Sequence, residues 1–386
     1  MWSWRFARVA GIDLRVHLSF LLVILLGAYQ WGGLGLRGAL FGALLTLLTF
    51  ASVTLHELGH SVVAQRFGIT VKDITLYPIG GIARLGSRPK TPGQELLIAL
   101  AGPAVNVLLV GVLGSIGVAL FTGPVLWDSV VNARAEQPTV ETMFAMLVLS
   151  NVALAVFNMV PALPMDGGRV LRAVLSWVLG PERATVTSAF VAKVLAVVLF
   201  TFGLFYLSPP NPVLVVIALF VFTGAGREVA DQRMGRVLGG VQLGDVVSPY
   251  APRFTPATTL GEAVRMLTMT HYEAIAVEAY GALIGVATSK DILRAAGEQG
   301  AWGYVAGLVQ SGVPQVDARD SLEVAREKMN EGGVPCVAVM REGLFIGLVT
   351  ELELAVVADR LSKAIFQRTG AARVGRIPSP SGRGSG

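Results

Sequence analysis

Long apolar runs organise the chain between residues 16 and 226, and beyond Arg227 they stop. The runs lie near 16–35, 38–67, 94–122, 142–160, 187–207 and 212–226. Several approach or exceed the ~20 residues that, at ~1.5 Å each, carry a helix across a ~30 Å hydrocarbon layer. The pattern therefore predicts six membrane-spanning helices. The first run is too long for a secretory leader and lacks a small-residue cleavage site, so it is expected to be retained. From Arg227 onward charges recur regularly, and helix-like and strand-like patches of ordinary soluble length alternate. This second part also repeats. TTLGEAVRML (258–267) aligns with DSLEVAREKM (320–329), and GVATSKDIL (285–293) with GLVTELELA (347–355), both at an offset of 62 residues. Two matches at one offset predict a duplicated module of an amphipathic helix, two strands and a following helix. The expected boundaries are a helical membrane domain over 1–228, α/β modules over 241–297 and 303–360, and a disordered Gly/Ser/Pro-rich basic tail over 361–386.

Composition agrees with the pattern. A chain of 386 residues that is 53% hydrophobic and 15% charged, with mean hydropathy +0.63, carries more apolar surface than one soluble core can hide. Charge then orients the spans, because Lys and Arg accumulate in short cytoplasmic loops. With the N-terminus inside, that side receives Arg5, Arg8, Arg15, Lys72, Arg84, Arg88, Lys90, Arg169, Arg172, Arg183, Arg227, Arg233 and Arg236, and the opposite side only Arg37 and Arg134. Both termini are expected in the cytosol. The net charge of +5 is then largely a topological bias, and no basic cluster interleaved with aromatics points to nucleic acid. The single Cys336 excludes an intramolecular disulfide and, in the strand-like run VPCVAVM, reads as a small buried hydrophobe.

Ionisable residues inside the apolar runs need a reason, since each costs on the order of 2.5–3.5 kcal/mol at bilayer depth on insertion scales. TLHELGHSVVAQRFG, Thr54 to Gly68, supplies two histidines and a glutamate within five residues. On a helix His56 and His60 share one face, one turn apart, so both imidazoles can hold one Zn²⁺ while Glu57 flanks its open position as a general base. Histidines simply bonded to carbonyls at a helix end would leave Glu57 unexplained. A catalytic zinc takes a third protein ligand. Asp166, in FNMVPALPMDGGR at the end of the fourth run, is the candidate, although taken alone it reads as a turn residue. Pro161, Pro164, Gly167 and Gly168 would end the helix and let the backbone turn a carboxylate inward. A membrane transporter or channel with a regulatory soluble module is the alternative, but it has no need of a glutamate between metal-spaced histidines.

At these residues the sequence closely resembles the site-2 protease family of intramembrane zinc metalloproteases. The resemblance rests on HELGH (His56, Glu57, His60), on N-x-x-P-x-x-P-x-D-G-G (Asn158, Pro161, Pro164, Asp166, Gly167, Gly168), on YPIGGIARL and on AGPAVN, with Met165 where the family more often has leucine. It implies zinc on His56, His60 and Asp166, Glu57 as base, and cleavage within or near a substrate's transmembrane segment. It further implies that Asn158 holds the substrate backbone or oxyanion, that Asn106 either packs or supports the site, and that YPIGGIARL forms a membrane-associated hairpin whose edge pairs with substrate. His17 and His271 are expected at a membrane interface and in the soluble module, off the metal.

The tandem module resembles the cystathionine-β-synthase (CBS) domains carried by one branch of that family. This implies an adenine nucleotide (ATP, ADP or AMP) as regulator, held by Thr288 and Asp291 of GVATSKD and less well by Thr350 and Glu353 of GLVTELE, where glutamate replaces aspartate. It also leaves open a homodimer through the CBS pair.

Overall fold

The computed structural model describes residues 3–78, 80–121, 137–247, 252–270 and 272–361. The tail from 362, His271 and Arg134 lie outside them. The chain divides into one unit over Met1–Gln232 and a second over Arg233–Gly386.

The first unit opens with a strand hairpin, β1 (Ser3–Val9) and β2 (Ile12–His17), followed by α1 (Phe20–Trp31), a short 3-10 turn and α2 (Gly35–Arg66). Then come β3 (Val71–Tyr77), β4 (Gly80–Leu85), α3 (Pro92–Leu120), α4 (Val140–Asn158), α5 (Asp166–Thr201) and α6 (Pro212–Gly239). The strands form one sheet in the order β1-β2-β3-β4, with β2 and β3 parallel and the other pairs antiparallel. Ile12, Leu14, Val71 and Ile74 bury against Ala64 and Ile98, which seats the sheet at the ends of α2 and α3.

Among the described residues five helical segments are long and apolar enough to cross a membrane: Phe20–Arg66, Pro92–Leu120, Val140–Asn158, Asp166–Tyr206 and Pro212–Gly239. The first two apolar runs fall in one of these, because the strand hairpin takes residues up to His17 and leaves α1 with only 12 residues, about 18 Å of helix. α1 folds back along α2. Trp31 meets Phe41 at 4.4 Å and Phe20 meets Phe50 at 4.7 Å between ring centroids. A Cβ on Gly27 or Gly42 would strike the other helix's backbone, so the glycines permit the close approach. α5 starts at Asp166, and the fifth apolar run, near 187–207, lies beyond its kink. The helix kinks at Gly180 (φ 77°) before Pro181, a conformation open to glycine and a residue that cannot donate to the preceding turn.

The second unit carries the repeat. Its first copy is β5 (Arg253–Phe254), α7 (Leu260–Met269), β6 (Ala274–Ala279), β7 (Ala282–Thr288) and α8 (Ser289–Gln299). The second copy is β8 (Gln315–Asp317), α9 (Leu322–Gly332), β9 (Cys336–Arg341), β10 (Leu344–Thr350) and a helix over 351–361. Each builds a three-stranded sheet. The hairpins turn at Tyr280-Gly281 (φ 54°, 78°) and Glu342-Gly343 (φ 52°, 81°), paired left-handed positions that again differ by 62 in number. Small side chains, Ala274 and Ala276 against Cys336 and Ala338, let the two copies pack together.

Candidate metal centre

α2 places His56 and His60 on one buried face, and the connection after α4 delivers Asp166 to them as the first residue of α5. The turn from Met159 to Met165 folds tightly over the start of α5, since a Cβ on Gly167 or Gly168 would run into the backbone of residues 159–163. Pro164 packs on Gly224 of α6 and fixes the outer side of that turn. In consequence three potential ligand atoms converge. His60 Nε2 lies 3.0 Å from His56 Nε2 and 3.0 Å from Asp166 Oδ2, and His56 Nε2 is 3.2 Å from the same oxygen.

The other ring nitrogens decide what these atoms carry. His60 Nδ1 is 2.6 Å from the carbonyl oxygen of Ile98, which can only accept, so Nδ1 bears the proton. His56 Nδ1 donates to Asn106 Oδ1 at 2.5 Å. In neutral imidazoles both Nε2 atoms are then lone pairs, facing each other and a carboxylate oxygen with no proton between them. Such a cluster suits a cation. Two imidazole nitrogens and a carboxylate oxygen are ordinary zinc ligands, and ~2.0–2.1 Å bonds in a tetrahedral zinc site put neighbouring ligand atoms roughly 3.3 Å apart. The donor set therefore fits zinc.

Packing leaves the cluster little freedom. Gly59 on α2 faces Ala101 and Val105 of α3, and Gly102 of α3 lies flat against both imidazoles. Asn106 in turn donates to Asn151 Oδ1 at 2.9 Å, and Asn151 donates to Ser52 Oγ at 3.1 Å and to the carbonyl of Leu147 at 2.9 Å. All these side chains are buried. Glu57 points to the sheet side of α2, where the backbone of Gly81 on β4 packs against its side chain. β4 has a strand neighbour on one side only among the described residues. Its register on β3 is held by Arg84, bonded through two nitrogens to the buried carboxylate of Asp73.

Asn158 is the last residue of α4, half-buried, one turn-forming segment away from Asp166 in sequence. His17 stacks on Tyr77 and bonds Ser19 Oγ at 2.7 Å, outside the cluster. Of the supporting residues, Asn106 is a sequence candidate and Gly81 and Gly102 lie in the motifs YPIGGIARL and AGPAVN, while Asn151 and Ser52 belong to no motif.

The family model that matches residues 43–123 and 111–202 is that of peptidase family M50, so the matched stretch contains every member of this cluster. Zinc metalloprotease MJ0392 of Methanocaldococcus jannaschii is 33% identical over 286 residues, which cover 74% of this chain and 77% of that protein. The chain belongs to peptidase family M50, the site-2 protease family. It is a zinc metalloprotease and, with its five long apolar segments, a multi-pass membrane protein. A putative zinc metalloprotease, Rip3 of Mycobacterium tuberculosis, is 28% identical over 91% of this chain and 92% of its own. A solved site-2 protease from M. jannaschii covers 59% of this chain and 95% of its own at 35% identity, with a TM-score of 0.43.

A CBS domain model matches residues 243–298 of the M50 chain. In that unit Thr288 caps α8. Its hydroxyl accepts from the Asp291 N–H at 3.2 Å and donates to Asp291 Oδ2 at 2.8 Å. Arg294 and Gln310 also bond Asp291, at 2.6 and 2.9 Å. Thr350 and Glu353 form the equivalent cap, with the carboxylate reaching back to the Thr350 N–H at 2.9 Å. A shallow cleft is lined by Arg253, Tyr272, Phe345, Thr350 and Glu353 among others, and neither Thr288 nor Asp291 lines it. Burial, with Glu353 nearby, pushes the Cys336 thiol up to about 11, which keeps it protonated and inert at neutral pH.

Proposed function

We propose that this M50 protease hydrolyses a peptide bond within or near the transmembrane segment of a membrane-protein substrate, using His56, His60 and Asp166 as zinc ligands and Glu57 as general base. The observation that carries the reading is the convergence of two imidazole nitrogens and one carboxylate oxygen, all buried, on helical segments apolar enough to span a membrane. Zinc held there would supply Lewis acidity to water and to the scissile carbonyl. Glu57 takes the proton from the attacking water and delivers it to the departing amine nitrogen as the C–N bond breaks. Asn106 and the Ile98 carbonyl orient the imidazoles. The free edge of β4, beside Glu57, offers main-chain hydrogen bonds to an unwound substrate strand. Asn158 contributes a side-chain amide for the substrate backbone or oxyanion.

The basic-residue bias supports a topology with both termini in the cytosol, and the substrate and lipid bilayer are the partners this reading requires. The CBS unit is read as a regulatory site for an adenine nucleotide and as a surface for homodimer formation. Arg253, Tyr272 and Phe345 give its cleft a cation and two aromatic faces, beside Thr350 and Glu353 rather than Thr288 and Asp291. Titration with ATP, ADP and AMP, with Asp291→Ala and Thr350→Ala compared, locates the site. Loss with Thr350→Ala alone supports the cleft, and no binding by wild type removes nucleotide regulation. For the protease itself, membrane-protein fragments are compared in cells carrying wild type or Glu57→Gln. A single-pass protein that accumulates uncut only with Glu57→Gln is the expected outcome, and identical fragment sets would overturn the reading.

A further inference from the structure

We infer that Asn151, on α4 and hydrogen-bonded to Asn106, Ser52 and Leu147 rather than to the metal cluster, is a positioning residue that sets which nitrogen of His56 faces the metal. The inference rests on the zinc reading above. An asparagine amide has an acceptor end and a donor end, and a carbonyl partner can face only the donor. The Leu147 carbonyl, 2.9 Å from Asn151 Nδ2, therefore fixes that amide's orientation. Ser52 agrees with it, since its hydroxyl donates to the Leu48 carbonyl at 3.3 Å and is left to accept from Asn151. Asn151 Oδ1 must then point at Asn106, whose Nδ2 donates to it at 2.9 Å. Asn106 is thereby turned with Oδ1 toward His56, so that the imidazole must carry its proton on Nδ1 and keep Nε2 open.

One backbone carbonyl thus dictates a tautomer through two amides. The relay begins and ends on α2, at Ser52 and His56, one turn apart, and passes through α3 and α4. Both amides are fully buried, so water does not compete for them. Without Asn151 Oδ1 the Asn106 amide is free to flip. It would then offer N–H to His56 Nδ1, and the imidazole proton would move to Nε2, where it blocks the metal.

The test is zinc affinity of the purified full chain, measured by competition with a chromophoric chelator. Asn151→Leu, and Asn151→Ala as a variant without added bulk, should weaken zinc by roughly 10–100-fold, the range for loss of groups that orient a ligand. Asn106→Asp placed in either background should restore most of it, because a carboxylate presents only acceptors to His56 Nδ1–H. A purely structural role for Asn151 gives no such rescue. Wild-type affinity in both single variants, or loss without rescue by Asn106→Asp, overturns the inference while wild-type zinc binding keeps the metal site intact. A wild type that holds no zinc overturns the two together.

Discussion

Gly102→Ala asks whether the cluster is as tightly walled as the packing of α2 on α3 indicates. A Cβ at position 102 would lie 2.6 Å from His60 Cε1 and 2.7 Å from His56 Cε1, both on the rings that supply the ligand nitrogens. Carbon atoms rest about 3.5–4.0 Å apart, so relief needs a shift of roughly 1 Å. The neighbours are held. His60 is tied to the Ile98 carbonyl, His56 to Asn106, and the helices already meet at Gly59. Overpacking of this kind costs about 1–3 kcal/mol. At about 1.4 kcal/mol per factor of ten, zinc affinity should fall by roughly 5- to 150-fold. Gly111 and Gly114 on the same helix face open space, so Gly111→Ala and Gly114→Ala should keep wild-type affinity. Chelator competition on the three purified variants reads the result. Unchanged zinc binding by Gly102→Ala, or equal losses in all three, would refute the packing argument.

Glu57→Gln should retain zinc yet lose cleavage by about 10²–10⁴-fold, because it removes a base and not a ligand; loss of the metal would make Glu57 a ligand instead. Arg172 on α5 is the cation of a three-residue network, bonding Glu95 of α3 at 2.6 Å and Glu228 of α6. Arg172→Met should destabilise the detergent-solubilised protein by about 3–5 kcal/mol, since two carboxylates are left without their cation. An unchanged thermal unfolding midpoint would show that the network carries no stability. For topology, the buried Cys336 should be silent to a membrane-impermeant maleimide, so that Arg88→Cys reports alone. It should label from the cytosolic side, and labelling only from the opposite side would invert the orientation.

The meeting of His56, His60 and Asp166 was legible because an apolar background makes each ionisable residue conspicuous and helical spacing pairs the histidines. The supporting shell was not. Asn151 and Ser52 are single polar residues in apolar runs, which bundle packing alone would explain, and the Ile98 carbonyl has no sequence signature. Gly81 and Gly102 stand in the motifs YPIGGIARL and AGPAVN, but what packs on them is known only from the atoms beside them. The shape of the first apolar run was not legible, since Ile12 to His17 pairs as a strand and shortens the helix that follows. In the CBS unit the repeat was legible down to its offset. The Thr-x-x-Asp and Thr-x-x-Glu patterns carry a second meaning there, because the same side chains cap α8 and the helix over 351–361.

Metal content of the purified full chain tests the central claim most directly. Elemental analysis of wild type should find one zinc per chain, and Asp166→Ala, which removes the only carboxylate of the converged set, should lose it. Zinc-free wild type, or one zinc retained by Asp166→Ala, would contradict the assignment of His56, His60 and Asp166 as the metal centre.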